Sequence, residues 1–295
     1  MDSGIITILL PLALAVIMMG LGLELTLKDF ARVSRHPKAV LIALCCQLIL
    51  LVGIAFALCK LFALPPLLSV GLMLLAASPG GSTANLLSYL FKGDLALNIT
   101  LTAINSVIAA ITLPLIVNFS IVHFMQDSQQ IGLQFSKILQ VFGIILIPVA
   151  IGMLIRHYAP SLTAKLNKPL RIFAVTFLVL IIIAAIVKER ANIIEYLTQI
   201  GLATALFCML SLSIGYLGPR LLNINSAQAR ASAFEIGIHN STLAMTIALT
   251  VIGSSAVAMP AAVYSIFMYI FAAIFGLLLN RLSPLQVQKA LPTLD

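Results

Sequence analysis

The residues of this chain that could do chemistry fall in two short polar runs set inside apolar sequence. One is Ser78-Pro79-Gly80-Gly81-Ser82-Thr83-Ala84-Asn85 and the other is Glu235-Ile236-Gly237-Ile238-His239-Asn240-Ser241-Thr242. Glu235 is the carboxylate whose position in an apolar stretch places it deep in a membrane; Asp2, Glu24, Asp29, Asp94, Asp127, Glu189, Glu195 and Asp295 fall at stretch ends or in connections. A charged side chain at mid-bilayer costs about 2.5–3.5 kcal/mol on insertion scales, so such an acid marks a cation or proton site. His239 follows at i+4, which on a helix puts both side chains on one face. It has two readings: a partner of Glu235 for a proton or cation, or a hydrogen-bond donor between helices.

The neutral oxygens of Asn240, Ser241 and Thr242, and of Ser82, Thr83 and Asn85 in the other run, suit a hard cation such as Na+. The Gly80-Gly81 pair allows close backbone approach. A half-helix that starts after Pro79-Gly80-Gly81 turns free N–H groups toward the same place, and these favour an anion. The backbone N–H groups of Gly81, Ser82 and Thr83, with the side chain of Asn240, are therefore the substrate candidates. Gln47 is a further polar residue in an apolar run. Asn98, Thr102 and Asn105 follow i, i+4 and i+7 spacing on one helix face. Each alone reads as a hydrogen bond between helices; together with Asn85 and Glu235 they read as a ligand shell. The chemistry expected is thus a carboxylate substrate beside a cation.

The elements that must hold these groups are membrane helices. The chain has 295 residues, 61% of them hydrophobic and 9% charged, with mean hydropathy +1.15. A soluble domain carries about 25% charged residues. The composition therefore predicts an all-α polytopic membrane protein with no extramembrane domain. Nine spans of roughly 20 residues can be drawn, at about 4–26, 39–60, 67–91, 95–122, 133–156, 169–188, 197–222, 227–252 and 257–281. The first run is too long, and lacks the basic start, for a cleaved signal peptide, and it is read as a retained span.

The net charge of +8 is not a nucleic-acid signal, because the basic residues are spread over short loops. Loops on one side hold Lys28, Arg32, Arg35, Lys38, Lys92, Arg156, Lys165, Lys168, Arg171, Arg220, Arg230, Arg281 and Lys289; the other side holds Lys60, Lys137, Lys188 and Arg190. The positive-inside rule makes the first side cytoplasmic, with the N-terminus outside and the C-terminus inside. The two polar runs break the third and eighth spans. Five spans separate these, so they run in opposite directions, as in an inverted repeat. Broken spans in corresponding halves point to a transporter's binding site. Irregular backbone at that depth must be buried in protein or line a cavity.

Other functions fit less well. An intramembrane protease would need paired aspartates, a Ser–His arrangement or a His–Glu metal motif, and none is present. A channel usually selects by rings of equivalent residues, whereas an inverted repeat in one chain fits alternating access. Cys45, Cys46, Cys59 and Cys208 lie in or at the ends of apolar runs without metal-ligand spacing and read as small buried hydrophobes. The sequons at Asn98-Ile99-Thr100, Asn118-Phe119-Ser120 and Asn240-Ser241-Thr242 lie in or against spans and read as chance.

Several stretches together resemble the bile acid:sodium symporter family. They are Met19-Gly20-Leu21-Gly22-Leu23 with Thr26-Leu27-Lys28-Asp29-Phe30, then Pro79 to Asn85, Gly93-Asp94-Leu95-Ala96-Leu97, and Glu235 to Ser241, which is similar to the family's E-x-G-x-Q-N-S motif with one change. The resemblance implies a panel domain (about 4–26 and 133–188) and a core domain (about 39–122 and 197–281). Its two broken helices would cross at the midplane, in a bacterial inner membrane and a nine-span form. It implies Na+, one or two ions, as the coupled cation and an organic anion, such as a bile acid or a small carboxylate, as substrate.

By the same resemblance, both Na+ sites share Glu235. The first adds Asn85 and Thr102, with family serines at Ala84 and Asn98; the second adds Gln47, His239 and the carbonyls of Ile236 and Ile238. Ala84 removes a hydroxyl, Asn98 supplies a longer amide oxygen, and His239 replaces a glutamine. The expected Na+ site is centred on Glu235, Asn85 and Thr102, with Gln47 as a further Na+ ligand. The alternative is proton coupling through Glu235 and His239. Asn240 and Ser241 would border the substrate. The family's His-Asn pair in the last span corresponds to Met268 and Tyr269, which favours a more apolar anion.

Overall fold

The computed structural model describes residues 3–125, 135–188 and 193–282. Among these, every regular element is helical. In chain order they are α1 (Ser3–Glu24), α2 (Leu27–Ala31), α3 (Pro37–Cys45), α4 (Leu51–Leu61), α5 (Pro66–Ala77), α6 (Ser82–Leu90), α7 (Leu95–Phe124), α8 (Phe135–Tyr158), α9 (Pro160–Lys188), α10 (Ile193–Leu221), α11 (Ser226–Gly237), α12 (Ser241–Ile247) and α13 (Ser255–Leu282). A π-helical turn, Cys46–Leu50, joins α3 to α4, so Pro37–Leu61 is one rod. A second, Ala248–Ile252, extends α12 and ends at Gly253, whose φ of 74° lies in the left-handed region.

Pro37–Leu61, Leu95–Phe124, Ile194–Leu221 and Ser255–Leu282 are each long and apolar enough to cross a membrane; Leu12–Glu24, Pro66–Ala77, Leu146–Tyr158 and Ser241–Ile252 are shorter apolar helices. The two short central ones are short because the expected third and eighth spans are broken. The third divides into α5 and α6 and the eighth into α11 and α12. The stretch 169–188 lies within α9. The connections at 126–134 and 189–192, with Asp127, Glu189 and Arg190, lie outside the described residues, as do 283–295 with Lys289 and Asp295.

One order of elements occurs twice: a long rod, a broken helix, a long helix. The first set is α3–α4, α5/α6 and α7; the second is α10, α11/α12 and α13. The two sets pack on each other, α13 along α5, and α11 along α6 and α7. A separate group forms where α1 lies along α8 and α9. Gly22 and Gly152 make the α1–α8 contact possible. A Cβ on Gly22 would overlap the Val149 carbonyl, and one on Gly152 would overlap the Met19 carbonyl. Small residues let backbones come this close where no hydrophobic effect drives helices together.

Arg230 departs from the loop placement expected of it. It is fully buried in α11 and donates to the Phe91 carbonyl (2.8 Å), the Leu279 carbonyl (2.9 Å) and Asn280 Oδ1 (2.6 Å). Its guanidinium therefore sits where α6 and α13 end, satisfying carbonyls that have no partner within their own helices.

Candidate functional site

The two helix breaks meet. Pro79-Gly80-Gly81 and Ile238-His239-Asn240 lie antiparallel, with a single β-bridge between Gly80 and His239. Gly81 N donates to the Ile238 carbonyl (2.7 Å) and Asn240 N to the Pro79 carbonyl (2.9 Å). Unwinding thus frees backbone groups that the opposite break satisfies, the condition for irregular backbone buried away from water. Tyr264 Oη donates to the Gly237 carbonyl (2.9 Å), where α11 ends.

Glu235 occupies the last turn of α11 and has no exposed surface. Thr102 Oγ1 donates to its Oε2 (2.5 Å) and Asn105 Nδ2 to its Oε1 (3.3 Å). The Gly80 N–H also faces the carboxylate. A Cβ on Gly80 would overlap both carboxylate oxygens, so only glycine fits there. Among the described residues no Lys, Arg or His forms an ion pair with Glu235.

Of the two readings of His239, the pairing with Glu235 is not formed. The helix ends between them, at Gly237, so i+4 spacing no longer places them on one face. His239 Nδ1 instead approaches the Ser78 carbonyl (3.2 Å), while the ring stacks on Phe207 (5.5 Å between centroids) and meets Tyr264 edge-on (5.4 Å). A carbonyl accepts only, so in the neutral ring the proton is on Nδ1 and Nε2 is a bare acceptor. Gln47 Nε2 donates to the same Ser78 carbonyl (3.2 Å). The π turn at Cys46–Leu50 carries Gln47, and such turns often mark functional positions.

The remaining expected residues divide by partner. Asn98 Nδ2 donates to the Ala231 carbonyl (2.7 Å), one turn before Glu235. Asn85 stands on α6, and Ala84 beside it is fully buried. Gln47 Oε1, Asn85 Oδ1, Asn98 Oδ1, Asn105 Oδ1 and His239 Nε2 are buried with no hydrogen-bond partner among the described residues. Buried polar atoms normally have one, so a set of orphaned oxygens on the helices that surround an unpaired carboxylate fits a hard cation. Among the described residues no group of three or more His, Cys, Asp or Glu suits a transition metal. The Ile236 carbonyl lies in the last turn of α11, and that of Ile238 already accepts from Gly81.

The substrate candidates open onto a cavity of about 720 Å³. Thr83, Asn85, Thr102, His239, Asn240 and Ser241 line one wall; Ile17, Leu21, Arg156, Asn167 and Leu170 of α1, α8 and α9 line the other. Three expectations change here. The Gly81 N–H, expected to face the substrate, is taken by Ile238, which leaves the first-turn N–H groups of Ser82 and Thr83, without i−4 carbonyls in their helix. Met268 is buried with its sulfur 4.0 Å from Ser241 Oγ, and Tyr269, not Met268, lines the cavity. The Asn240 side chain accepts from Leu243 N (3.0 Å) and so caps α12 while it lines the cavity. The Ser82 side chain lies outside what is described.

Asn105, a member of the polar face by the signal of its i+3 step from Thr102, is a direct hydrogen-bond donor to Glu235. Phe207, Tyr264 and the Ser78 carbonyl carried no such signal, because apolar rings and backbone oxygens look alike everywhere in a membrane helix.

An all-α membrane bundle in which two helix breaks pair around a buried carboxylate, beside a cavity, has the architecture of a secondary transporter. Residues 11–196 match the model of the Sodium Bile acid symporter family, and the chain belongs to that family. It is a family of sodium-coupled transporters, not of enzymes. Among its relatives is the probable sodium/metabolite cotransporter BASS1 of Arabidopsis thaliana chloroplasts, 28% identical over 275 residues, which cover 93% of this chain and 67% of the relative. The uncharacterized sodium-dependent transporter YocS of Bacillus subtilis is 29% identical, over 86% of this chain and 77% of its own. The human ileal sodium/bile acid cotransporter is 27% identical, over 92% and 79%.

Proposed function

We propose that this protein couples Na+ to the symport of an organic anion by alternating access. One observation carries the reading: Glu235 is fully buried, is held by Thr102 and Asn105, and has no ion-pair partner among the described residues. A buried carboxylate without a counter-charge costs several kcal/mol, and a bound cation removes that cost. The orphaned oxygens of Asn85, Asn98 and Asn105, with Thr102 Oγ1, supply further ligands of the kind Na+ takes. Gln47 Oε1 and His239 Nε2, fixed on the Ser78 carbonyl, are available to a second ion. Na+ is favoured over the proton because Glu235 and His239 each bond to other groups and not to one another, and so form no proton pair.

In this mechanism Na+ neutralises Glu235 and fixes the starts of α6 and α12. The start of α6 presents the N–H groups of Ser82 and Thr83 to the anion, so one solute's gradient drives the other. The repeated set α3–α7 and α10–α13 serves as the core, and α1, α8 and α9 as the panel, in a nine-span chain of a bacterial inner membrane with its N-terminus outside. The separate packing of α1 on α8 and α9, and the cavity between the two groups, support that division. Uptake of a labelled organic anion into proteoliposomes tests the reading. Saturable accumulation driven by a Na+ gradient is expected; equal uptake in Na+-free buffer, or uptake driven by a pH gradient alone, overturns it.

A further inference from the structure

Arg156 ends α8 on the wall of the cavity that faces the crossover. Two charged side chains line this cavity among the described residues, Glu24 and Arg156, and Glu24 is engaged in an interaction of its own. Arg156 Nη1 donates to the Leu23 carbonyl (2.8 Å) at the end of α1, which pins one corner of the guanidinium. That bond uses one of five N–H donors, and no other polar partner of the group is found among the described residues. The crossover wall offers an anion only neutral donors.

We propose that Arg156 is a specificity-determining residue that binds the carboxylate of the transported anion from the panel side of the cavity. This inference rests on the organic-anion reading above. A guanidinium fork matches a carboxylate in plane and spacing, and its attraction is stronger between low-dielectric walls such as those of Ile17, Leu21 and Leu170 than in water. Thr83 and Tyr89 of α6 both line the cavity, so it runs about 9 Å along that helix at 1.5 Å per residue. Arg156 lies at the α8 end near the close of α1, a helix wall away from the crossover. Its contact is made only in the conformation in which the crossover and α8 share one cavity. It therefore raises affinity on the side to which that cavity opens and is lost when the core moves.

The experiment uses purified full-length protein in Na+ buffer, with cholate, pantoate and pyruvate as probes and the uncharged amide of each acid as its control. In the R156Q variant, binding of the acid by isothermal titration should weaken about five- to thirtyfold, with amide binding unchanged; R156K, which keeps the charge but not the fork, should fall between wild type and R156Q. Stabilisation by Na+ alone should match wild type in both. An R156Q protein that keeps the wild-type preference of acid over amide overturns the inference, as does an R156K protein as weak as R156Q. One measurement needs no variant. The acid, but not its amide, should protect Arg156 from phenylglyoxal, read by peptide mass; equal modification with and without the acid overturns the proposal. A wild-type protein that binds none of the probes overturns the organic-anion reading and this inference with it.

Discussion

Replacing Glu235 by glutamine removes a charge and almost no volume. The side chain has no exposed surface and receives hydrogen bonds from Thr102 Oγ1 (2.5 Å) and Asn105 Nδ2 (3.3 Å). A glutamine offers one acceptor and one donor there. Thr102 can still donate to its oxygen, and Asn105, by turning its carboxamide, can accept from its nitrogen with the Oδ1 that otherwise has no partner. The polar network therefore closes again and the bundle should fold. What is lost is the counter-charge for Na+. A ligand at about 100 times its dissociation constant stabilises the protein that binds it by about 2.7 kcal/mol. At about 2–4 °C per kcal/mol, that is a rise of roughly 5–10 °C in the wild-type melting temperature on adding Na+ at constant ionic strength. E235Q should show no such rise. In Na+-free buffer it should melt at or above the wild-type temperature, since it no longer buries an uncompensated charge. Scanning fluorimetry in NaCl against choline chloride reads both effects. A Na+-dependent rise of wild-type size in E235Q would place the cation elsewhere and refute the reasoning.

Thr102→Val keeps the shape but removes a hydrogen bond to a charged group worth about 1.5–3 kcal/mol, together with a ligand oxygen; the Na+ concentration for half-maximal uptake should rise at least about tenfold, and an unchanged value would remove Thr102 from the site. Gly80→Ala drives a methyl into the Glu235 carboxylate, and overpacking of this kind costs about 1–3 kcal/mol; Na+-driven uptake should fail in protein that still inserts in membranes, and normal uptake would mean the breaks do not meet as described. Arg230→Met removes the donors that the Phe91 and Leu279 carbonyls and Asn280 share; about 1–3 kcal/mol per stranded group predicts a clear fall in melting temperature, with the Na+-induced rise retained, and an unchanged melting temperature would show that the clamp contributes nothing.

Parts of this site were legible before any coordinate. Pro79-Gly80-Gly81 and the run from Glu235 to Asn240 are polar, helix-disfavouring stretches between apolar runs, so both breaks were expected from the sequence. Glu235 was legible because an acid in apolar sequence needs a reason. Asn98, Thr102 and Asn105 were legible as a face because helical spacing brings them together. The Glu235–His239 pair was not: i+4 spacing holds only while the helix lasts, and α11 ends at Gly237. Nor was the choice between Met268 and Tyr269, adjacent residues on α13, of which the first is buried and the second lines the cavity. Arg230 looked like a loop cation because its sequence neighbourhood carries no sign of the two helix ends that close around it.

The sequence by itself determined that the chain is an all-α membrane protein, that it breaks twice, and that one break carries a carboxylate. These follow from composition, periodicity and backbone preference, which are local properties. Only the tertiary structure decided what those groups face. The antiparallel meeting of the two breaks gives the Gly81 N–H to Ile238, turns His239 to the Ser78 carbonyl and the ring of Phe207, and leaves Glu235 to Thr102, Asn105 and Gly80. Partners distant in sequence are chosen by packing, and packing also put Arg156 on the cavity wall opposite the crossover.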